Sequence, residues 1–189
     1  MNQLELPAEV LWVSFGIAIV LALTLGTTIQ FFFVRTLTRT LREVGESNRD
    51  ISLNTLWWSV LINQLPILGS FWEIFVVTKL TTSIRKEFVA RGWNTKIEGF
   101  GRTVGFLWAV GGLMYMPIPV AQTYFFFNGD VTTAILLSAI ETPMAMALFV
   151  CFILFWIQVA QFGTRFRDSD RSGLNKENPG ANYLTKVDR

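Results

Sequence analysis

The chain has 189 residues, of which 51% are hydrophobic and only 16% are charged, and its formal net charge is +2. This composition exceeds the apolar content that a soluble domain needs, so it indicates an integral membrane protein. The sequence has no His and one Cys, Cys151, which exclude a disulfide within the chain and remove the commonest metal ligand and general base.

The first apolar segment, residues 10–34, follows an N-terminus that carries Glu5 and Glu9 but no Lys or Arg. A cleaved signal peptide has a basic start and an apolar region of only ~7–15 residues. About 20 apolar residues are enough to span the ~30 Å of hydrocarbon in a bilayer. We therefore expect residues 10–34 to form a retained transmembrane helix.

Small residues recur at every fourth position of this segment, and they are Ser14, Ala18, Ala22 and Gly26. This spacing places them on one face of a helix, where the backbone of a neighbouring helix can approach closely. We interpret the stripe as a helix-packing face. Its partner is either another helix of this chain or another protein.

Two sets of basic residues adjoin the apolar segments: Arg35, Arg39 and Arg42 follow the first, and Arg85, Lys86 and Arg91 follow the second. Each Lys or Arg close to an anionic leaflet contributes about 1 kcal/mol of attraction. A docking surface for a larger protein would have the same composition. Acidic residues are interleaved with the basic ones, so we expect no nucleic-acid partner, which requires an unopposed basic stripe.

The second apolar segment, residues 53–80, is interrupted by NQLPILGS, which contains Asn63, Gln64, Pro66 and Gly69. Pro66 prevents a regular helix through the residues before it, and Gly69 offers the freedom of a tight turn. The segment is either a re-entrant helical hairpin, with arms of about 13–18 residues of ~1.5 Å rise each, or a continuous kinked helix. In the hairpin, Asn63 and Gln64 would supply hydrogen bonds that lipid cannot.

The distribution of the 16 Lys and Arg residues favours the hairpin. Positively charged loops tend to remain in the cytoplasm. Four full crossings place at most 12 of these residues there, whereas three crossings and a re-entrant hairpin place all 16 there if the N-terminus is outside. We therefore predict an all-α integral membrane bundle with three transmembrane helices and a Pro-broken re-entrant hairpin. The alternative is four transmembrane helices.

Two acidic residues lie within apolar sequence. Glu73 falls in the second arm of the hairpin, and an ionisable residue at membrane depth is a candidate for an ion or proton pathway. A structural hydrogen-bonding role is the simpler interpretation. Glu141 lies near the outer interface if Arg165 marks the cytoplasmic boundary, and solvation there accounts for it.

The third and fourth apolar segments, residues 104–127 and 131–162, complete the bundle. A second small-residue stripe, Gly101, Gly105 and Ala109, predicts a packing face, and Pro117 and Pro119 should end the regular helix near the outer surface. Residues 1–167 thus form one transmembrane domain. Residues 168–189 form a polar cytoplasmic tail that we expect to be disordered on its own.

The middle of the chain resembles a group of small bacterial integral membrane proteins known as a domain of unknown function. The matching residues are Glu46, Asn48 and Arg49, then Trp57, Pro66 and Trp72, then Ser83, Ile84, Glu87, Phe88, Arg91 and Gly92. Ser47 interrupts the polar motif, and Asn54 stands where the group's pattern has Gly. The resemblance implies a bacterial cytoplasmic (inner) membrane and no particular activity.

The sequence contains no pattern that indicates an enzyme, such as a glycine-rich phosphate loop or a nucleophile with an evident base. We expect a non-catalytic subunit or scaffold of a larger membrane complex, in contact with lipid and with other subunits or copies of itself. The alternative is a small oligomeric channel or transporter that uses the Pro66 hairpin and Glu73. No cofactor is predicted, and the aromatic content leaves a bound lipid, quinone or pigment open.

Overall fold

The computed structural model describes residues 8–93 and 99–177, and it contains no strand in these ranges. The helices described are α1 (Ala8–Arg42), α2 (Leu53–Ile62), α3 (Pro66–Ala90), α4 (Gly99–Tyr115), α5 (Pro117–Phe127) and α6 (Val131–Glu177), with a 3-10 turn at Glu46–Asn48. Within the described part of the chain, three segments are long and apolar enough to cross a membrane: Ile67–Ala90, Gly101–Phe127 and Val131–Ser172. The all-α prediction is confirmed.

The second apolar segment divides into two helices at NQL. α2 ends at Ile62, and α3 begins with Pro66, at a position where the first N–H groups of a helix have no intrahelical acceptor. The two helices have 10 and 25 residues, so the arms are less equal than the sequence suggested. α2 begins after Ser52, which caps it: the Ser52 hydroxyl accepts a 3.1 Å hydrogen bond from the backbone N–H of Thr55.

α1, α3 and α6 run in the same direction, and α4 runs in the opposite one. Along α1 and α6, Trp156 Nε1 donates to Thr36 Oγ1 over 2.9 Å, and Thr40 Oγ1 donates to the Val159 carbonyl over 3.0 Å. Later residues of α1 therefore contact later residues of α6, so these two helices are parallel. Later residues of α4 contact earlier residues of α6: Gly101 faces Phe162, and Tyr115 donates to Glu141, so α4 is antiparallel to α6.

The hydrophobic core lies where the C-terminal halves of α1, α3 and α6 meet. Its buried residues include Val34, Leu37 and Leu41 of α1, Val77, Leu80 and Phe88 of α3, and Phe155, Val159 and Phe166 of α6. Phe33 contacts the rings of Trp108 and Phe152 at centroid distances of 5.6 and 5.0 Å. Such aromatic pairs add about 0.5–1.5 kcal/mol to the burial of their area. Buried apolar side chains and ring contacts thus hold α1, α3, α4 and α6 together in this core.

Two helix ends differ from the expectation. α6 continues to Glu177, so residues 168–177 are helical, although the sequence suggested disorder for the whole tail. This extension of α6 is anchored because Phe166 is buried and Asp170 forms an ion pair with Arg91. Residues 178–189 lie outside the described part of the chain. α4 ends before Pro117 as expected, but helix resumes as α5 and continues to Phe127.

Candidate functional site

α2 and α3 lie side by side in opposite directions. Near their junction, Trp72 Nε1 donates a 2.8 Å hydrogen bond to Ser59 Oγ, across 13 residues of sequence. Farther away, the backbone N–H of Asp50 donates a 2.8 Å hydrogen bond to Ser83 Oγ, across 33 residues. Residues that are farther and farther apart in sequence still contact each other, which is the pattern of a helical hairpin. Residues 63–65 form its tip.

The tip is a compact turn. The backbone N–H groups of Asn63, Gln64 and Leu65 donate to carbonyls at the end of α2 over 2.9–3.2 Å. Gly69 belongs to α3 and not to the turn, and a Cβ on it would lie 2.9 Å from the Cα of Asn63. Gly69 is therefore required by the close approach of two backbones, whereas the sequence suggested conformational freedom.

Glu73 reaches back to the tip. Asn63 Nδ2 donates a 3.1 Å hydrogen bond to Glu73 Oε1, and Gln64 Nε2 donates instead to the Val60 carbonyl over 3.3 Å. The other side-chain atom of Asn63, Oδ1, is buried without a hydrogen-bond partner among the described residues. The tip thus holds an amide and a carboxyl group in direct contact.

A second polar cluster lies at the opposite end of the hairpin and centres on Glu87, which is only 6% exposed. Its carboxylate accepts hydrogen bonds from the Gly45 backbone N–H (2.9 Å), Asn48 Nδ2 (2.9 Å) and Arg91 Nε (2.7 Å). Three donors compensate for burial of the negative charge. Glu87 thereby fixes the connection between α1 and α2 against α3.

Arg91 extends this cluster to α1 and α6. Its guanidinium donates to Asp170 Oδ1 over 2.7 Å and to the carbonyls of Phe166 and Glu43 over 3.1 and 3.2 Å. Burial lowers the pKa of Arg91, but the hydrogen bonds to Glu87 and Asp170 outweigh it and raise that pKa above its ordinary value. Arg91 is therefore a permanently charged link between three helices.

Three of the residues that carried the family resemblance, Asn48, Glu87 and Arg91, meet in this cluster. Asn48 of the first motif contacts Glu87 of the last, and Ser83 receives the Asp50 N–H. The i, i+4 spacing of Glu87 and Arg91 is a sequence signal for their pairing. No comparable signal marks Asp170 or the Glu43 carbonyl, which are distant in sequence, and sequence reasoning missed both.

The two predicted packing faces have different surroundings. On α4, a Cβ on Gly105 would lie 2.8 Å from both Val77 and Phe155, Gly101 faces Phe162, and Ala109 is fully buried. On α1, Gly26 is exposed and a Cβ there would meet nothing within 4 Å. The other members of the α1 stripe, Ser14, Ala18 and Ala22, have side chains outside the described set.

The remaining predicted residues are dispersed. Glu141 accepts a 2.8 Å hydrogen bond from Tyr115 Oη, between α6 and α4. Lys86 forms an ion pair with Asp50, Arg42 and Arg85 are exposed, and Arg35 and Arg39 line a crevice between α1 and α6. Within the described ranges, no group of three or more His, Cys, Asp or Glu side chains could hold a metal ion.

No family model matches this chain, and no curated protein or solved structure is detectably similar to it.

Proposed function

We propose that this chain is a non-catalytic integral membrane subunit or scaffold of a larger protein complex in a bacterial cytoplasmic membrane. The exposure of the described side chains in the N-terminal half of α1 is the observation that carries the proposal. Every side chain described between Val13 and Gly26 is exposed, including Val20 and Leu21 at 62% and 63%. Among the described residues of α1, Phe33 is the first that is buried in the core of the bundle.

The sequence of this half favours a protein partner over lipid alone. Lipid covers any apolar side chain equally well, whereas small residues on one face let another helix pack closely. The hydroxyls of Thr24 and Thr28 already donate to carbonyls of α1 over 2.7 and 2.8 Å, so these two groups need no hydrogen bond from a partner. A helix from another subunit or from a second copy fits this face.

The proposed topology has three crossings, by residues 10–34, 104–127 and 131–162, and a re-entrant hairpin over residues 53–80, with the N-terminus outside and the C-terminus in the cytoplasm. α3 is also long and apolar enough to cross, but it is assigned to the hairpin because all 16 Lys and Arg residues are then cytoplasmic. Lys79 follows the tip by about 21 Å of helix at 1.5 Å per residue, which supports a tip near the bilayer middle if Lys79 lies at the cytoplasmic surface. The hydrogen bonds of the turn and the contact between Asn63 and Glu73 support burial of its polar groups in hydrocarbon.

The test is the size of the particle extracted in a mild detergent. We expect a complex well above the 21.5 kDa of one chain plus detergent. Ala22→Leu with Gly26→Leu should dissociate it by filling the small-residue face, and Val20→Leu with Thr24→Leu, on the opposite face, should leave it intact. Recovery of the wild-type chain as a stable monomer without a cofractionating protein refutes the proposal.

The second candidate is a small oligomeric channel or transporter, favoured by the contact between Asn63 and Glu73 at the hairpin tip. A carboxyl group at membrane depth is a common element of ion and proton pathways. Flux through reconstituted vesicles should then fall in Glu73→Gln but not in Glu46→Gln, whose side chain is 92% exposed. Equal flux in wild type and Glu73→Gln rejects this candidate.

A further inference from the structure

A crevice of about 420 Å³ opens between the parallel helices α1 and α6, on the side of the bundle that holds the basic residues. Phe32 and Trp156 line one end, Arg35 and Arg39 follow along α1, and Glu43 and Arg167 line the other end. The crevice is therefore aromatic at one end and carries arginines along the rest of its length.

The three arginines have no ion-pair partner among the described residues. Arg167 is the most constrained, because its Nε is buried and has no hydrogen-bond acceptor. A buried guanidinium N–H without an acceptor is costly, and an anion in the crevice would satisfy it. Among the described residues, Glu43 is the only acid on the lining, so the crevice with its three arginines keeps a net positive charge.

The floor of the crevice offers no competing polar group. Thr40 Oγ1 donates to the Val159 carbonyl over 3.0 Å, and the Trp156 indole donates to Thr36 over 2.9 Å. Gly163 brings the helices together here, since a Cβ on it would lie 3.2 Å from the Cα of Thr40. The donors left for a ligand are those of the arginines, which suit the oxygens of a phosphate group.

We infer that this crevice binds the phosphate headgroup of an anionic phospholipid, with the arginines on the phosphate and an acyl chain along Phe32 and Trp156. The inference rests on the membrane placement proposed above. Basic pockets between helices at the cytoplasmic surface are typical sites for anionic lipid headgroups. A soluble phosphate ester shares the headgroup chemistry, but it would leave the aromatic end unused.

The experiment measures the affinity of the purified full-length chain, in a non-ionic detergent, for phosphatidylglycerol, phosphatidylcholine and inorganic phosphate. The readout is the dependence of the thermal unfolding midpoint on ligand concentration. The test variant is Arg35→Gln with Arg39→Gln, since both side chains are exposed at the rim and their loss should not disturb the fold. The control is Arg42→Gln with Arg171→Gln, which removes the same charge from exposed positions outside the crevice.

We expect phosphatidylglycerol to stabilise the wild type and the control alike, and to bind the test variant roughly 30-fold more weakly. Arg167→Lys, which keeps the charge but loses the planar guanidinium, should also weaken binding. Equal loss in the test and control variants, equal binding of phosphatidylcholine, or full stabilisation by inorganic phosphate alone overturns the inference. A monomeric chain that still binds phosphatidylglycerol would refute the assembly proposal and leave this site standing.

Discussion

The indole N–H of Trp72 lies 2.8 Å from the hydroxyl oxygen of Ser59, and this hydrogen bond joins the two arms of the hairpin. Ser59 is 2% exposed, so water cannot replace the bond if Trp72 is lost. The Trp72 ring also contacts the Phe75 ring of its own helix, with the centroids 5.2 Å apart and the ring planes tilted by 38°. The short helix α2 is therefore attached to α3 by a specific polar contact as well as by apolar packing.

Ser59→Ala and Trp72→Phe should each reduce the free energy of unfolding, with the hydrogen bond itself contributing about 0.5–1.5 kcal/mol. In the double variant, the loss should be smaller than the sum of the two single losses, because each change already removes the same bond. Equilibrium denaturation in mixed micelles measures all four proteins. Strictly additive losses would show that the bond contributes nothing.

The proposed re-entrant topology predicts which positions a reagent outside the cell can reach. In a Cys151→Ala background, single cysteines at Asn54, Thr81 and Asn128 are treated with a membrane-impermeant thiol reagent in intact cells. We expect labelling at Asn128 alone, because both ends of the hairpin then face the cytoplasm. Labelling at one of Asn54 and Thr81 would mean that the second segment crosses the membrane.

Gly69→Ala should destabilise the hairpin, because the new methyl group would lie 2.9 Å from the Asn63 backbone. Overpacking of this kind costs about 1–3 kcal/mol. Gly112→Ala on α4 is the matched control, since its methyl group would meet no atom within 4 Å and Ala favours a helix by roughly 1 kcal/mol. The thermal unfolding midpoint of each variant measures the effect, and we expect it to be lower for Gly69→Ala. Equal midpoints would contradict the tight contact at the tip.

Arg91→Lys keeps the positive charge but cannot reach the acceptors on α3, on α6 and at Glu43, the residue after α1, together. We expect a loss of about 1.5–3 kcal/mol in unfolding free energy, as for hydrogen bonds to charged groups. Residues 168–177 should also become more sensitive to protease, because Arg91 anchors Asp170. Arg171→Lys, at an exposed position, is the control, and unchanged proteolysis in Arg91→Lys would contradict the anchoring role.

The start of α6 should depend on pH through Asp130. The hydroxyl and the backbone N–H of Thr133 both donate to its carboxylate, over 2.7 and 3.0 Å, and these bonds hold the pKa of Asp130 below its ordinary value of 3.8. A lowered folded-state pKa stabilises the cap above pH 3.8, and the contribution is lost as the pH falls through the folded value.

Asp130→Asn should still cap the helix but remove this dependence. The protection of the backbone amides of residues 131–134 from hydrogen exchange measures this pH dependence. It is compared between wild type and variant at each pH. The wild type should lose protection relative to Asp130→Asn only at the acidic end. An identical pH dependence in both proteins would show that Asp130 does not carry it.

Local features of the sequence predicted much of the secondary structure. Apolar runs indicated the helices, Pro66 and its neighbours located the break between α2 and α3, and Pro117 located the end of α4. These features act within a few residues, through steric restriction and backbone hydrogen bonding. The end of α6 was missed because its stability depends on Arg91, which lies 79 residues earlier.

By itself, the sequence determined that this chain is helical and apolar enough for a membrane, because composition and periodicity act locally and need no partner. The tertiary structure alone decided which polar groups meet: Asn63 with Glu73, Glu87 with Gly45 and Asn48, and Arg91 with Asp170. It also formed the arginine crevice from two helices distant in sequence. Each of these arrangements depends on how helices pack in three dimensions, and side-chain spacing along one helix does not specify that.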